Sequence, residues 1–356
     1  MSNPYVDLPS RAYWKQAVGT RNFLEIDALW TPKFAIAKTD KIITAGSCFA
    51  QHISRAMQGS GYAWMDYEPA PNYLLHDQRQ LLNYGVYSFR TSNIYTVRAL
   101  RQWIDWALRG EAAIAEKSWP DNGRFLDPFR PAIERGGFES EAELIASRET
   151  TLRAIKAAIT DASVFVFTLG LTESWRNRKT GETYAMCPGT IGGRFDASLH
   201  EFVNSDYAEI LADAEWVLAS LRRVNPQLRV LLTVSPVPLT ATASGDHVLP
   251  ATIYSKSVLR AVAGKLAGSH AHVDYFPSYE IVSAFPYRGA FFEANQRSVA
   301  HTGVAHVMRQ FLAALAPGEN AASSGDARPA TPEKDPQPDM NADDALVCEE
   351  LFLDRQ

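Results

Sequence analysis

Residues 41–61 of the chain, KIITAGSCFAQHISRAMQGSG, change partway along from one hydrophobic pattern to another. The first six residues form a short apolar run that ends in glycine, which predicts a buried strand. Apolar side chains then recur every fourth position from Phe49 to Met57. That spacing places them on one face of a helix, which two glycines end. Ser47 therefore lies at a strand-to-helix turn.

The same alternation of strand and helix continues along the chain. Periodic apolar residues predict helices over about 141–159, 206–223 and 252–266, and a last helix that contains Val304 to Leu315. Near-continuous apolar runs predict buried strands at ASVFVFTLG (162–170), LRVLLTVSP (228–236) and HVDYFPS (272–278). Strands that alternate with helices predict an α/β fold, a three-layer αβα sandwich with a mainly parallel sheet.

Composition and charge divide the chain into two parts. The 356 residues carry a net charge of −5, but residues 317–356 hold ten acidic and three basic residues, so residues 1–316 are close to neutral. Without a stripe or run of Lys and Arg, nucleic acid and anionic membranes are not expected as partners. We expect one catalytic domain over 1–316 and a disordered acidic tail over 317–356, because the tail composition has little to bury.

The last residues of the tail regain an apolar character. Residues 345–353, ALVCEELFL, follow a stretch rich in Pro, Ser, Gly and acidic residues. Such a segment is either a peptide that docks on a protein partner or a helix that folds back on its own domain. The sequence leaves both alternatives open.

Cysteine content and hydropathy bear on the compartment. The N-terminal residues contain no apolar core of a secretory signal, and no apolar run approaches the roughly 20 residues of a membrane span. Cys48, Cys187 and Cys348 are odd in number and far apart, which fits neither a disulfide framework nor a zinc site. We therefore expect a cytoplasmic protein that needs no metal.

Polar clusters follow four of the predicted strands. They are Gly46-Ser47, Gly170 to Glu173, Ser235 with its proline-rich loop, and Ser278 to Glu280. Ligands of doubly wound sheets bind at the carboxyl ends of the strands, so we expect these clusters at one edge. Ser47 is either a nucleophile near the positive end of a helix or an ordinary helix cap. It is not in a GxSxG elbow, and no phosphate-binding glycine loop or Rossmann fingerprint occurs.

A series of short motifs points to one family. They are GSCFA (46–50), SNIYT (92–96), DPFRP (127–131), FTLGLTESW (167–175), CPGT (187–190), LLTVSPVPLTAT (231–242), YSKSVLRA (254–261) and GVAHVM (303–308). Over about residues 3–315 the chain resembles the GSCFA-domain family, which belongs with the SGNH/GDSL-like hydrolases. The resemblance implies an SGNH-type, flavodoxin-like fold. It also implies serine-dependent cleavage or transfer of an ester-linked acyl group, with acetyl on a carbohydrate as the favoured substrate.

The resemblance assigns roles around the proposed nucleophile. Ser47, after Gly46, matches the nucleophile of the first block, with its own N–H in the oxyanion hole. Ser92-Asn93 occupies the turn where the second block offers a glycine N–H. The third block normally reads GxND, whereas this chain reads GLTE from Gly170. Thr172 therefore stands where the family has the oxyanion-binding Asn, Glu173 stands where it has Asp, and Asn93 is an alternative source of the missing amide.

The resemblance also places the general base. His301 matches the catalytic histidine, but the acid expected three residues earlier is Ser298. Glu280, Glu293 or a main-chain carbonyl is left to orient the imidazole, or serine and histidine act as a dyad. His247, in a loop after a strand, and His306, five residues into the last helical pattern, are the alternative bases.

Other residues near the motifs have two interpretations each. Cys48 is a buried structural cysteine or a second nucleophile. Glu173 and Trp175 form a sugar site, in which the carboxylate binds hydroxyls and the aromatic face packs beneath the sugar ring. Alternatively, Glu173 is a surface acid and Trp175 is a core aromatic. The alternative functions are an acyl-CoA-dependent O-acyltransferase in polysaccharide biosynthesis and a non-catalytic binding module whose residues 345–353 recruit a partner. No cofactor is expected beyond acyl-CoA as a co-substrate.

Overall fold

A parallel four-stranded sheet forms the centre of the molecule. The computed structural model describes residues 3–134 and 136–315 together with Glu349 and Leu353. Its strands are, in chain order, β1 (Ile42–Gly46), β2 (Trp119–Asp121), β3 (Arg124–Leu126), β4 (Val164–Leu169), β5 (Glu173–Asn177), β6 (Thr183–Tyr184), β7 (His200–Asn204), β8 (Arg229–Val234) and β9 (Val273–Phe276). The central sheet has the order β1-β4-β8-β9, and all three pairings are parallel. The mainly parallel sheet predicted from the sequence is confirmed.

Eight α-helices lie among the described residues. They are α1 (Ala50–Gly59), α2 (His76–Leu81), α3 (Val97–Arg109), α4 (Glu141–Asp161), α5 (Tyr207–Val224), α6 (Val248–Ser269), α7 (Ser278–Ser283) and α8 (His301–Leu315). The predicted helices correspond to α1, α4, α5, α6 and α8. Helix α3 was not predicted, although its two core tryptophans, Trp103 and Trp106, lie on one face three residues apart.

Helices cover both faces of the sheet, because side chains on alternate strand positions belong to two separate cores. Ile43, Phe165 and Val230 pack with α3, α4, α5 and α6 on one face. Ile42 and Val164 pack with α1, α7 and α8 on the other face. The three-layer αβα arrangement follows from this division.

The N-terminal segment closes the second of these cores without adding a strand to the sheet. Ile26 and Ile36 are buried there, and the ring of Trp30 stacks on Phe311 of α8 with 5.7 Å between centroids. Its regular structure consists of single turns, Ser10–Ala12, Lys15–Gly19 and Phe23–Glu25. The segment thus holds the last helix against the sheet.

Two small antiparallel sheets were not predicted. Strands β2 and β3 form a hairpin, and β5 pairs with both β6 and β7 in a three-stranded sheet. The latter spans residues 173–204 and leaves and rejoins the central domain at one point, where Ser205 N–H donates to the carbonyl of Thr172 over 3.0 Å. Its strands are two to five residues long and give too little periodicity to recognise.

The expected tail lies mostly outside the described residues. Of residues 317–356 the structure describes Glu349, which is buried, and Leu353, which is half-buried. Both contact the domain itself, Leu353 through an apolar cluster that includes Leu171 and Met186. At these two positions the chain folds back on its own domain.

Candidate active site

The turn between β1 and α1 brings Ser47 against the neighbouring strand β4. Gly46 has a φ of +134°, and a Cβ built on it would lie 2.3 Å from the carbonyl oxygen of Thr168. Only glycine fits this conformation and this contact. Ser47 N–H donates to the same Thr168 carbonyl over 3.1 Å, so it extends the ladder between β1 and β4. It is therefore not directed into an oxyanion hole, in contrast to the role that the family resemblance gives it.

The hydroxyl of Ser47 is buried and has no hydrogen-bond partner in the described part of the chain. It does not cap α1, because the helix begins at Ala50 and its N-cap residue is Phe49. Gly170, which follows β4, lies directly against Ser47: a Cβ at Gly170 would be 3.0 Å from Ser47 Cβ. A buried, unpaired hydroxyl costs free energy, so such a group calls for an explanation beyond local structure.

The Ser92-Asn93 turn runs alongside Ser47. Ile94 N–H donates to the Gly46 carbonyl over 2.8 Å, which ties this turn to the end of β1. Ser92 has a φ of +61°, a left-handed conformation that favours glycine. Ser92 thus has a backbone conformation typical of glycine, the residue that the family resemblance expects in this turn. The Oγ of Ser92 is buried and has no partner among the described residues.

Asn93 and Tyr95 bind a carboxylate that comes from the far end of the chain. The backbone N–H of Asn93 donates to Glu349 Oε1 over 3.4 Å, and its Nδ2 donates to Oε2. Tyr95 donates its hydroxyl proton to Oε2 over 2.9 Å. Gln51 of α1 donates from Nε2 to Asn93 Oδ1 over 3.3 Å, which turns the amide nitrogen toward the carboxylate. Two amide donors are thus directed at one anionic group.

The GLTE segment after β4 is held by the backbone of Tyr95 and Ser205 and by side chains of other elements. Thr172 donates its hydroxyl proton to Asn204 Oδ1 over 2.6 Å, and its N–H donates to Ser255 Oγ over 3.1 Å. As placed, Thr172 therefore does not direct its hydroxyl proton at Ser47. Lys256, which is buried in α6, donates from Nζ to the Gly170 carbonyl over 2.7 Å. Sequence reasoning missed Lys256 because one lysine in a helical pattern looks like a solvated side chain.

A largely apolar pocket of about 270 Å³ lies beside Asn93 and Tyr95. Aromatic rings from the β5-β6-β7 sheet, from α3 and from the loop after β3 line it, together with the polar groups of Glu173 and several threonines. The lining includes Trp103, Phe129, Trp175, Tyr184, Phe202, Thr183, Thr190 and Thr242. The volume is near the lower limit for sites that bind small organic molecules, roughly 300 Å³. Glu173 and Trp175, which the sequence pairs as a possible sugar site, face this same pocket.

Two further groups of the pocket have raised pKa values. Burial raises the pKa of the Glu173 carboxyl, against a hydrogen bond from Thr242 that lowers it. Burial also raises the pKa of the Cys187 thiol to about 11, so this cysteine is protonated at neutral pH. Cys48, next to Ser47, is buried as well. A protonated thiol does not favour Cys187 as a nucleophile.

The three candidate histidines lie in different surroundings. His301 is exposed at the first position of α8, close enough to His52 of α1 for their charges to interact. His306 is buried and stacks on Phe291 in the second core, which separates it from the pocket. His247 is exposed and caps α6, since its Nδ1 accepts from Leu249 N–H over 3.1 Å.

Of the groups considered as partners for His301, Glu280 is bound by other side chains. It accepts hydrogen bonds from Arg260 and from the hydroxyl of Tyr275. Glu293 is exposed, and Ser298, at the position of the family acid, donates its N–H to Asn295.

We expect His52 to make stability depend on pH. Burial, together with smaller effects of the charges of Arg55 and His301, lowers the pKa of its imidazole from 6.5 to about 4. Between these values the unfolded chain binds a proton that the folded chain does not, so stability falls as the pH drops from about 6.5 toward 4, by at most about 3 kcal/mol. Denaturant unfolding at pH 7 and pH 4.5 should show a smaller loss for His52→Gln than for the wild type. Equal losses would contradict this origin.

The DPFRP motif forms a buried ionic network behind the Ser92-Asn93 turn. Asp127 accepts from Arg130 Nε over 2.8 Å and from Arg148 over 3.0 Å, and all three side chains are fully buried. Burial favours a high pKa for Asp127, but the two guanidinium groups outweigh it and the pKa is lowered. Arg130 also donates to the carbonyl of Arg90 over 3.0 Å. Since Arg90 is two residues before Ser92, the network fixes the backbone that leads into the turn.

Two further observations concern metals and membranes. The described ranges contain no group of three or more His, Cys, Asp or Glu side chains placed to hold a metal ion. Within those ranges, the helices are too short or too polar to cross a bilayer.

The fold defines a doubly wound α/β protein. Its candidate site lies among the polar residues at the carboxyl ends of the strands. The chain belongs to the GSCFA family, whose model matches residues 41–311. No curated protein matches it significantly in sequence. Among solved structures, the chain is similar to a carbohydrate esterase family 3 from Talaromyces cellulolyticus, at 14% identity over 61% of this chain and 87% of the other. The TM-score is 0.26, which is too low to carry an argument about function.

Proposed function

We propose that this protein is a serine-dependent ester hydrolase or acyltransferase with Ser47 as its nucleophile. The proposal rests on one observation above all: the hydroxyl of Ser47 is buried at the carboxyl end of β1 and has no hydrogen-bond partner among the residues that the structure describes. A helix cap would use that hydroxyl in a local hydrogen bond, and Ser47 does not. Its place beside Gly170, next to the end of β1 where the Ser92-Asn93 turn is attached, fits a group reserved for a ligand.

In the proposed reaction, Ser47 Oγ attacks the carbonyl carbon of an ester while His301 takes the hydroxyl proton. The N–H and Nδ2 of Asn93 donate to the oxygen that becomes negative, which is the role the family gives to its glycine and asparagine. The alcohol leaves with the proton from His301, and an acyl group remains on Ser47. Water or a second hydroxyl then removes the acyl group by the reverse steps. Side chains and a backbone amide supply all of this chemistry.

His301 has to turn toward Ser47 for this role, because the Oγ of Ser47 makes no hydrogen bond to any described residue. The exposed position of His301 leaves its side chain room to rotate. Catalytic hydrogen bonds often form or tighten only when the substrate binds, which is compatible with the assignment.

The pocket beside Asn93 favours an acylated carbohydrate as the substrate. Sugar rings pack on aromatic faces and offer hydroxyls to carboxylates. Trp175 and Glu173 line the pocket together, and Thr242 holds the Glu173 carboxylate by a 2.8 Å hydrogen bond. We propose that the sugar occupies this pocket while its ester reaches Ser47.

Hydrolysis and transfer share the acyl-enzyme, so acyl-CoA-dependent O-acyltransfer in polysaccharide biosynthesis remains the alternative reaction. A binding module is the non-enzymatic alternative. Reaction with a fluorophosphonate probe, followed by peptide mass spectrometry, separates the enzymes from the binding module. Stoichiometric labelling of Ser47 would support the proposal. Absence of labelling, also in a variant such as Glu349→Gln that loosens the contact of Glu349 with Asn93, would favour the binding module.

We expect His301→Ala to lower turnover of short acyl esters by about 10²–10⁴-fold, the usual contribution of a general base. His247→Ala is the matched control, because it removes an exposed imidazole that only caps α6. It should leave turnover within a few fold of the wild type. Steady-state kinetics of both variants checks this, and a slow His247 variant beside an unaffected His301 variant would move the base to the loop before α6.

A further inference from the structure

Glu349 occupies the position that the proposed reaction reserves for the acyl group. Its carboxylate accepts hydrogen bonds from the Asn93 N–H, the Asn93 Nδ2 and the Tyr95 hydroxyl. A carboxylate has the planar shape and the charged oxygens of the acid that ester hydrolysis releases. The same donors cannot hold this carboxylate and an oxyanion at once.

A second contact of the same segment lies four residues further on. Leu353 packs against the cluster that contains Tyr95, Leu171 and Met186, and it lines the pocket beside Asn93. Tyr95 is a member of the cluster that Leu353 packs against, and its hydroxyl also binds Glu349. The two described residues of the segment thus cover adjacent parts of one site.

Burial agrees with a closed site. Ser47 is 3% exposed, Asn93 is 2% exposed and Glu349 itself is 1% exposed. A buried carboxylate is stable only when hydrogen bonds or opposite charges replace its water, and here three donors do so. A substrate therefore has to displace the carboxylate before it can use Asn93.

From these contacts we propose that Asn93 and Tyr95 form a carboxylate-binding subsite, and that the C-terminal segment fills it as an intrachain competitor of the substrate. The inference rests on the proposed function in one respect only: it takes the ester substrate as the ligand with which the segment competes. Residues 316–348 connect α8 to Glu349, and 33 residues can span up to about 110 Å when extended, so the connection does not prevent release. The subsite's ligands are the segment, the product acid and other carboxylates.

The first test compares the rate at which a fluorophosphonate probe labels Ser47 in full-length variants. We expect the probe to label Glu349→Gln at least about tenfold faster than the wild type. This factor corresponds to a wild-type site that the segment leaves open one-tenth of the time or less. Leu353→Ser should label faster as well. Glu139→Gln removes one exposed acid far along the chain from the segment and should match the wild type. Equal rates for wild type and Glu349→Gln, with both chains folded, would overturn the inference.

The second test measures binding without catalysis. A fluorescent peptide of residues 345–356, ALVCEELFLDRQ, should bind the full-length Glu349→Ala chain, and the same peptide with glutamine at position 349 should bind at least tenfold more weakly. Unlabelled acetate should displace the first peptide. If Ser47 never labels but the peptide binds in this way, the proposed function fails and the carboxylate subsite stands. If Ser47 labels equally in all chains and the peptide does not bind, the subsite fails and the proposed function stands.

Discussion

Replacing Ser47 with alanine should lower esterase turnover by about 10⁴-fold or more and abolish labelling by a fluorophosphonate probe. Removing a serine nucleophile leaves only the rate enhancement that binding and oxyanion donors supply. The fold should be unaffected, because the Ser47 hydroxyl makes no hydrogen bond within the described ranges that the substitution would remove. Kinetics on short acyl esters, together with thermal unfolding, measures both quantities. The comparison is best made in the Glu349→Gln background, where the site is expected to be open.

Ser54→Ala is the matched control for this change. It also removes one buried hydroxyl from the region of α1, but Ser54 donates that hydroxyl to the Gln51 carbonyl over 2.9 Å. We expect a stability loss of about 1 kcal/mol from the lost hydrogen bond and turnover close to that of the parent chain. A Ser47→Ala chain that keeps the parent's turnover would refute the nucleophile assignment.

The second large effect is on stability. Asp127→Ala should lower the free energy of unfolding by about 3–5 kcal/mol, because it leaves Arg130 and Arg148 buried without their shared carboxylate. Denaturant unfolding should give a lower midpoint with a similar dependence on denaturant concentration. Labelling of Ser47 should slow too, since Arg130 holds the carbonyl of Arg90 just before the Ser92-Asn93 turn.

A half-buried carboxylate with an exposed partner provides the comparison for Asp127. Asp105 forms a 2.9 Å ion pair with Arg109 one helical turn away on α3, and the Arg109 side chain is 64% exposed. Asp105→Ala should cost less than about 1 kcal/mol, as exposed pairs do. Similar losses for the two variants would mean that the buried network contributes little to folding.

The sequence predicted the parts of the fold that depend on local hydrophobic period. The strands around 42–46, 164–169 and 229–234 and the long helices carry clear patterns, because each buries one face or both. The position of Ser47 at a strand-to-helix turn follows from the same patterns. Its lack of a hydrogen-bond partner does not, since that depends on Gly170 and the Ser92-Asn93 turn from distant parts of the chain.

Buried charges were beyond prediction for a physical reason. Arg130 and Arg148 are fully buried, yet arginine is among the residues least often found inside unless it is paired. Their partner Asp127 was recognised only as part of a family motif. Lys256 was overlooked on the same ground. Nothing in a single sequence shows that two distant charges will meet.

The contact of Glu349 with Asn93 joins residues 256 positions apart. Composition predicted that most of residues 317–356 would have little to bury, and for the apolar residues 345–353 it gave no preference between a docking peptide and a segment that folds back. The two described residues lie on the chain's own domain, at the site that the motifs had already marked. The pocket had no sequence signal either, because its walls come from α3, the 173–204 sheet and the loop after β8.

In the proposed reaction, the small sheet of residues 173–204 would separate recognition from chemistry. Ser47 and Asn93 belong to turns around the central sheet, whereas Glu173, Trp175 and Phe202 of the pocket wall belong to this sheet. The chain enters and leaves the segment at neighbouring points, Thr172 and Ser205, while contacts such as those between Thr183 and Gln102 fix the segment against α3. Relatives that keep the reactive turn and these contacts but differ in the pocket wall would then form a set of catalysts with one chemistry and different acceptors.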